Sequence, residues 1–167
     1  MNQTTEQNTE SPKLCRFIDS NYNDLFTVPD GGYVQIDRSD GETLIRKCKF
    51  LDVCHTHIGL NAYHICEFAE RMEKNGSSYS PALNPEQVQG YLITDKTVVG
   101  KKVFVLAHNP NAVEPFVTWR GHVDYPGYES GNYFKERSAA HGDYIRRIYA
   151  ERENRPYHPK KKTDHER

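Results

Sequence analysis

The sequence predicts a single α+β domain, with a mainly antiparallel sheet, two main helices and disordered polar ends. Short runs rich in Val, Ile, Thr and aromatic residues, separated by Gly, Pro and Asn, predict strands. Two other segments repeat apolar residues at helical spacing. Runs of strands that alternate with single helices, with tight turns between the strands, favour an α+β domain. A length of 167 residues suits one domain.

The first ordered element is predicted near residue 13, after a polar, disordered stretch at 1–12. Several short strands with turns between them follow, up to about residue 51. Asp40-Gly41 lies between two alternating apolar runs, which is a strong short-range signal for a β-hairpin. We therefore expect a hairpin centred on Asp40.

A helix is predicted over 61–74, where apolar residues recur every three or four positions. Asn61 is a suitable N-cap, and Asn75-Gly76 a suitable end. Asn84 followed by Pro85 predicts a further short helical turn.

The second half of the chain predicts strands at 91–99, 102–107 and 116–119. Val103 to Leu106 is apolar on both faces, which is typical of a central strand. A Tyr/Gly loop is expected at 122–133. A last helix, at about 132–152, carries an apolar stripe formed by Phe134, Ala140, Tyr144 and Ile148.

The charge is distributed unevenly along the chain. Residues 152–167 contain six Lys/Arg and three Asp/Glu, and the whole chain has a net charge of −1, so the remainder carries −4. We expect 13–152 to form the domain and 153–167 to form a basic, disordered tail. An acidic body does not resemble a dedicated DNA-binding domain, which concentrates positive charge on one face.

Three of the four cysteines and three of the eight histidines lie between Cys48 and Cys66. Zinc binds four such ligands, and the candidate set is Cys54, His57, His64 and Cys66. The spacing contains no C-x-x-C pair, and Cys66 falls on the predicted apolar helix stripe. We therefore predict buried thiols and no cofactor, with zinc as the alternative.

Several functional classes lack their sequence signatures. The chain has neither a P-loop nor a dinucleotide-binding glycine motif, and we predict no catalytic residues. It also has no apolar run of about 18 residues and no signal peptide. We expect a cytoplasmic protein that has no membrane partner.

The candidate partner surface combines the tyrosines of the 122–133 loop with cations of the last helix. Tyrosine among Gly, Ser and Asn suits protein recognition, because it is large and amphipathic and loses little entropy on binding. The predicted binding residues are Tyr125, Tyr128, Tyr133, Lys135, Arg137, Arg146 and Arg147.

Three stretches, "LFTVPDGGYVQI", "HTHIGLNAYHICEFAERMEKNG" and "GYLITDKTVVGKKVFVLAHNPNAVEPFVTW", carry a resemblance to a known kind of domain. Residues 16 to 152 resemble accessory domains of integrative conjugative elements of gut Firmicutes, which also occur in large polyvalent proteins. The resemblance implies a mobile-element context in which small accessory proteins blunt host defences. It supplies no catalytic residues.

These observations lead to one expected function and two alternatives. The expected function is non-enzymatic binding and inhibition of a host defence nuclease, such as the CRISPR effector Cas9, with contact to its guide RNA or DNA. One alternative is a small nucleic-acid-binding or autoregulatory protein, and the other is a zinc-stabilised module or zinc-dependent enzyme.

Overall fold

The computed structural model describes residues 14–18, 24–29, 31–47, 76 and 78–160. Within them, ten strands and one helix are formed. Helix α1 spans Arg137–Arg152, and it is too short and too polar to cross a membrane. The strands are β1 (Leu14–Ile18), β2 (Asp24–Pro29), β3 (Tyr33–Asp37), β4 (Glu42–Lys47), β5 (Ser78–Ala82), β6 (Gln87–Val88), β7 (Tyr91–Val99), β8 (Lys102–His108), β9 (Phe116–His122) and β10 (Tyr125–Phe134).

All the strand pairs among the described residues are antiparallel, which confirms the predicted kind of sheet. Strands β1 and β2 form a pair of their own. The other eight form one sheet in the order β10-β9-β8-β7-β4-β3-β5, and β6 pairs with β7. The described residues contain one helix where two were predicted, and the other predicted helix, 61–74, falls outside them.

The predicted hairpin centred on Asp40 is confirmed as β3–β4. Its strands pair from Tyr33 with Lys47 to Asp37 with Thr43. Gly41 takes a φ of +89°, a conformation that glycine adopts at no steric cost, and the Arg38 N–H donates to the Glu42 carbonyl at 2.8 Å.

The helical turn predicted at Asn84-Pro85 is wrong, because this segment joins the sheet. The Glu86 carbonyl accepts a hydrogen bond from the Ile93 N–H at 3.0 Å, and β6 pairs directly with β7. Gln89 and Gly90, between β6 and β7, have φ values of 52° and 83°. Two consecutive residues with positive φ form the tight turn that a two-residue hairpin requires, and the backbone groups are used in pairing.

The loop predicted at 122–133 is also wrong, since most of it forms β10. This strand pairs with β9 up to Phe134, so the last helix cannot start at residue 132 as predicted. Helix α1 begins instead after Glu136, which has the extended backbone of an N-cap residue (φ −112°, ψ 137°). The remaining predicted strands of the second half correspond to β7, β8 and β9, with small extensions.

The core lies on both faces of the sheet. On the helix face, Phe104 and Leu106 of β8 pack with Phe134 and with the stripe of α1 that contains Ala140, Tyr144 and Ile148. On the opposite face, Val103, Val105 and Ala107 pack with residues of neighbouring strands, among them Tyr91, Ile93, Val117 and Trp119. Strand β8 is thus buried on both faces, as predicted for a central strand.

Candidate functional site

The three predicted binding tyrosines occupy different environments on β10. Tyr128 stacks on Trp119, with ring centroids 6.1 Å apart, and its hydroxyl donates to Glu86 Oε1 at 2.9 Å. Tyr133 packs edge-on against Tyr91 at 6.1 Å. Both rings pack against the cluster on the face opposite the helix. Tyr125, in contrast, is 70% exposed at the start of the strand, so a partner can reach it.

The hydrogen bond from Tyr128 to Glu86 links β10 to the segment before β6. Burial raises its pKa well above the ordinary value of tyrosine, and the hydrogen bond and negative charge of Glu86 add to this effect. The phenol therefore stays protonated, and it joins β10 to the segment that precedes β6. Glycine at position 121 leaves room for the Tyr128 ring, because a Cβ there would lie 2.9 Å from that ring.

Arg147, a predicted binding cation, is buried in a polar cluster between α1 and the sheet. Its Nε donates to Asp143 Oδ2 at 3.0 Å, and its Nη2 donates to the Ser130 carbonyl at 2.6 Å. Thr118 donates to the same carboxylate at 2.5 Å, and the Tyr157 hydroxyl donates to its other oxygen. Arg147 is 4% exposed, and these contacts hold α1 against β9 and β10.

Residues 153–160 continue the domain beyond α1. Besides its hydrogen bond to Asp143, Tyr157 has its ring 4.8 Å from the guanidinium carbon of Arg147. Burial and the bond to Asp143 raise the pKa of Tyr157 to about 12. This part of the predicted disordered tail thus packs on the domain, and residues 161–167 lie outside the described chain.

The other predicted cations lie at separate places. Arg137, the first residue of α1, has its Nη2 3.7 Å from Asp95 Oδ2, whereas Arg146 has its Nη2 3.6 Å from Asp143 Oδ1. They lie nine positions apart on the helix, which is about 13.5 Å along the axis. Lys135 is exposed in the link between β10 and α1. The predicted set is therefore divided, with Arg146 towards one end of the molecule and Arg137 towards the other.

The tip of the β9–β10 hairpin lies at the same end of the molecule as the carboxyl end of α1. Tyr125 packs against His122, its cross-strand neighbour, with ring centroids 4.9 Å apart. His122 pairs with Lys102, whose Nζ binds Glu151 of α1 at 3.1 Å. Cross-strand neighbours share a face of the sheet, so Tyr125 is on the helix face.

Two residues that the sequence reasoning missed complete a surface at this end. Tyr149 on the outer side of α1 is 51% exposed, and the Arg155 side chain is 65% exposed. Together with Ile145, Arg146, Tyr157 and His158 they line a groove of about 540 Å³ between α1 and the segment after it. We give the name helix-end surface to Tyr125, Arg146, Tyr149 and Arg155, which are at least 41% exposed at this end of the molecule. Tyr125 is not among the residues that line the groove.

A second groove of about 490 Å³ lies on the other side of residues 155–159. Four cations and one carboxylate are among the residues that line it, namely Lys102, Arg120, Arg147, Arg155 and Glu151. Each of these cations is ion-paired, Lys102 with Glu151, Arg120 with Glu129, Arg147 with Asp143 and Arg155 with Glu153. The segment 137–160 as a whole holds six Lys/Arg against three Asp/Glu. Exposed arginine and tyrosine are the residue types that dominate binding energy at protein interfaces.

The predicted zinc ligands Cys54, His57, His64 and Cys66 lie outside the described residues. Across the parts of the chain that the structure describes, no three His, Cys, Asp or Glu residues lie close enough together to hold a metal ion. The chemistry that the helix-end surface offers is recognition by guanidinium groups and aromatic rings.

Comparison with known proteins identifies no relative of this chain. No family model, no curated protein and no solved structure matches it. A function for this chain therefore has to be inferred from its own residues.

Proposed function

We propose that this chain is a non-enzymatic protein of a mobile element that binds and inhibits a host defence nuclease. The target class is a CRISPR effector such as Cas9. The observation that carries the proposal is the helix-end surface, where two tyrosines and two arginines that are 41% to 70% exposed lie at one end of the molecule.

The composition of this surface suits a ribonucleoprotein target. Guanidinium groups bind phosphates with paired hydrogen bonds, so Arg146 and Arg155 fit the backbone of a guide RNA. Tyr125 and Tyr149 offer large amphipathic rings to the protein part of such a target. The mobile-element context rests on the sequence resemblance of residues 16–152 to accessory domains of conjugative elements.

Rigid support for the surface comes from the cluster beneath it. Arg147, Asp143, Thr118 and Tyr157 join α1, the sheet and the segment after α1 through buried hydrogen bonds. This cluster fixes the backbone that carries Arg146, Tyr149 and Arg155, so little backbone entropy is lost when a partner binds, which favours affinity.

The test has two stages. Tagged protein is first incubated with a lysate that contains the defence systems of its natural host, and the retained proteins are identified by mass spectrometry. The nuclease found is then purified with its guide RNA, and its DNA cleavage is measured with increasing amounts of this protein. We expect stoichiometric retention and loss of cleavage near a one-to-one ratio.

Variants identify the surface that inhibits. Tyr149→Ala and Arg146→Ala each remove a side chain at the helix-end surface, and we expect each to weaken inhibition at least about tenfold. The matched control is Arg38→Ala, because Arg38 is similarly exposed (48%) but lies at the turn between β3 and β4. Retention of nucleic acid alone, or equal inhibition by all three variants, would refute the proposal.

A further inference from the structure

A groove apart from the helix-end surface concentrates positive charge. It has a volume of about 530 Å³ and lies between the end of β4, the start of β7, the loop after β8 and the start of α1. Arg46, Lys47 and Arg137 line it together with His108, and no Asp or Glu is among its lining residues. A groove of this size accommodates a small organic ligand.

A buried carboxylate behind the groove holds the two arginines in place. Asp95 is 1% exposed, and its Oδ1 lies 3.2 Å from Arg46 Nη1 while its Oδ2 lies 3.7 Å from Arg137 Nη2. Arg46 Nη1 also donates to the Thr94 carbonyl at 2.9 Å. Arg46 is held by hydrogen bonds and Arg137 by an ion pair, and the two side chains remain 39% and 50% exposed, so a ligand can reach both charges.

A flat aromatic pair forms another part of the groove. The rings of His108 and Phe116 stack with centroids 4.6 Å apart and an interplanar angle of 15°. Burial lowers the pKa of His108 below its ordinary value, and the nearby charge of Arg137 lowers it further. The imidazole is therefore neutral at pH 7. The two rings cover one face of each other, so a nucleic-acid base would stack on an outer face of the pair.

We propose that this groove binds a nucleoside phosphate, with the phosphate on Arg46, Arg137 and Lys47 and the base on the His108–Phe116 pair. Fixed guanidinium groups bind phosphate with paired, charge-assisted hydrogen bonds. The ligand is either a free nucleotide or the 5′-phosphorylated end of a single strand, since both present this chemistry. The groove does not include the helix-end surface, so this inference is independent of the proposed nuclease target.

The test measures binding of a short oligothymidylate, labelled at its 3′ end, to the full chain by fluorescence anisotropy. We expect the 5′-phosphorylated strand to bind at least about tenfold more tightly than the same strand with a 5′ hydroxyl, which corresponds to one charge-assisted contact. Unlabelled AMP, inorganic phosphate and phosphorylated strand then serve as competitors. Full displacement by AMP identifies the free nucleotide as sufficient, and displacement by the phosphorylated strand alone identifies the strand end.

Variants link this binding to the groove. Arg137→Gln removes one exposed phosphate ligand, and we expect affinity to fall at least about tenfold. The matched control is Arg152→Gln, the same change on an exposed arginine at the other end of α1, and we expect it to leave affinity unchanged. Phe116→Leu keeps an apolar core residue while it removes the stack, and we expect weaker binding of AMP with unchanged binding of inorganic phosphate.

Three results would overturn the inference. They are equal affinity for the phosphorylated and hydroxyl strands, equal losses in the Arg137 and Arg152 variants, and the absence of any measurable binding by the folded wild-type chain. Circular dichroism of each variant confirms that it is folded before its affinity is compared.

Discussion

At the scale of single residues, the Asp143–Arg147 pair shows how a charge predicted to face a partner becomes structural. Arg147 lies between Tyr144 and Ile148 on the buried side of α1 and is 4% exposed. Its partners include Ser130, which belongs to β10, and Tyr157, which lies in the segment after the helix. Position 147 lies three residues after Tyr144, so the helical period places it on the buried stripe, whereas the usual exposure of arginine argues against burial there.

We predict that Asp143→Asn lowers the free energy of unfolding by about 3 to 5 kcal/mol, because it leaves Arg147 as a buried charge without its partner. Guanidinium chloride denaturation measures the change. Asp124→Asn is the matched control, since Asp124 binds Lys101 at 2.9 Å with both side chains more than half exposed. We expect Asp124→Asn to lower the free energy of unfolding by less than about 1 kcal/mol. An equal decrease in the two variants would contradict the role of Asp143.

The same carboxylate makes stability depend on pH. Burial alone would raise the pKa of Asp143, but the hydrogen bonds from Thr118 and Tyr157 and the charge of Arg147 outweigh it, so the pKa lies below the ordinary value of 3.8. A lowered folded-state pKa stabilises the fold above the unfolded-state pKa, and this contribution is lost as pH falls through the folded-state value.

We therefore predict that the free energy of unfolding of the wild type falls below about pH 4, while that of Asp143→Asn falls less steeply. Urea denaturation at a series of pH values from neutral to acid measures both slopes. Parallel curves would show that Asp143 is not the group responsible.

At the scale of elements, β10 shows where turn chemistry misleads. Its sequence, YPGYESGNYF, contains a proline and two glycines, which are typical of loops. The strand accommodates these residues by shifting register twice against β9, between Tyr125 and Tyr128 and between Glu129 and Asn132. Positive φ angles at Gly127 (89°) and Ser130 (57°) accompany the shifts. The register of β10 depends on its pairing with β9, so the sequence of β10 alone does not predict the two shifts.

Two glycine substitutions are predicted to act in opposite directions. At Gly131 a Cβ would lie 2.7 Å from Trp119 Nε1, and Trp119 is buried, so Gly131→Ala should destabilise the fold by about 1 to 3 kcal/mol. At Gly142, inside α1, the nearest atom is the mobile end of Arg146, at 3.3 Å. Gly142→Ala should therefore stabilise by up to about 1 kcal/mol. Thermal denaturation of both variants measures the change in stability. A change in the same direction for both would contradict this account.

At the scale of the whole molecule, period and turn signals predicted the antiparallel sheet, the hairpin at Asp40 and the buried stripe of α1. The candidate site was predictable in part. Tyr125 and Arg146 were named from composition, whereas Tyr149 lies just off the apolar stripe and Arg155 lies in a predicted disordered tail. Their placement at one end of the molecule depends on how α1 packs on the sheet, which brings distant segments together.

We predict that the segment after α1 stabilises the domain. A chain that ends at residue 152 loses Tyr157 and its hydrogen bond to Asp143, and we expect it to lose about 1.5 to 3 kcal/mol of stability. A chain that ends at residue 160 keeps Tyr157, and we expect it to match the wild type within about 0.5 kcal/mol. Urea denaturation compares the three chains. Equal stability of the two truncated chains would exclude a stabilising role for Tyr157.

Among the described residues, the two strands that end the eight-stranded sheet are poorly suited to strand addition. On one side β10 shifts register twice, and on the other β5 contains Pro81, which has no N–H to donate. Such edges discourage another chain from extending the sheet by backbone pairing, which protects against aggregation at high concentration. A partner that binds the described sheet is therefore expected to contact its side chains and not to pair with its edge backbone.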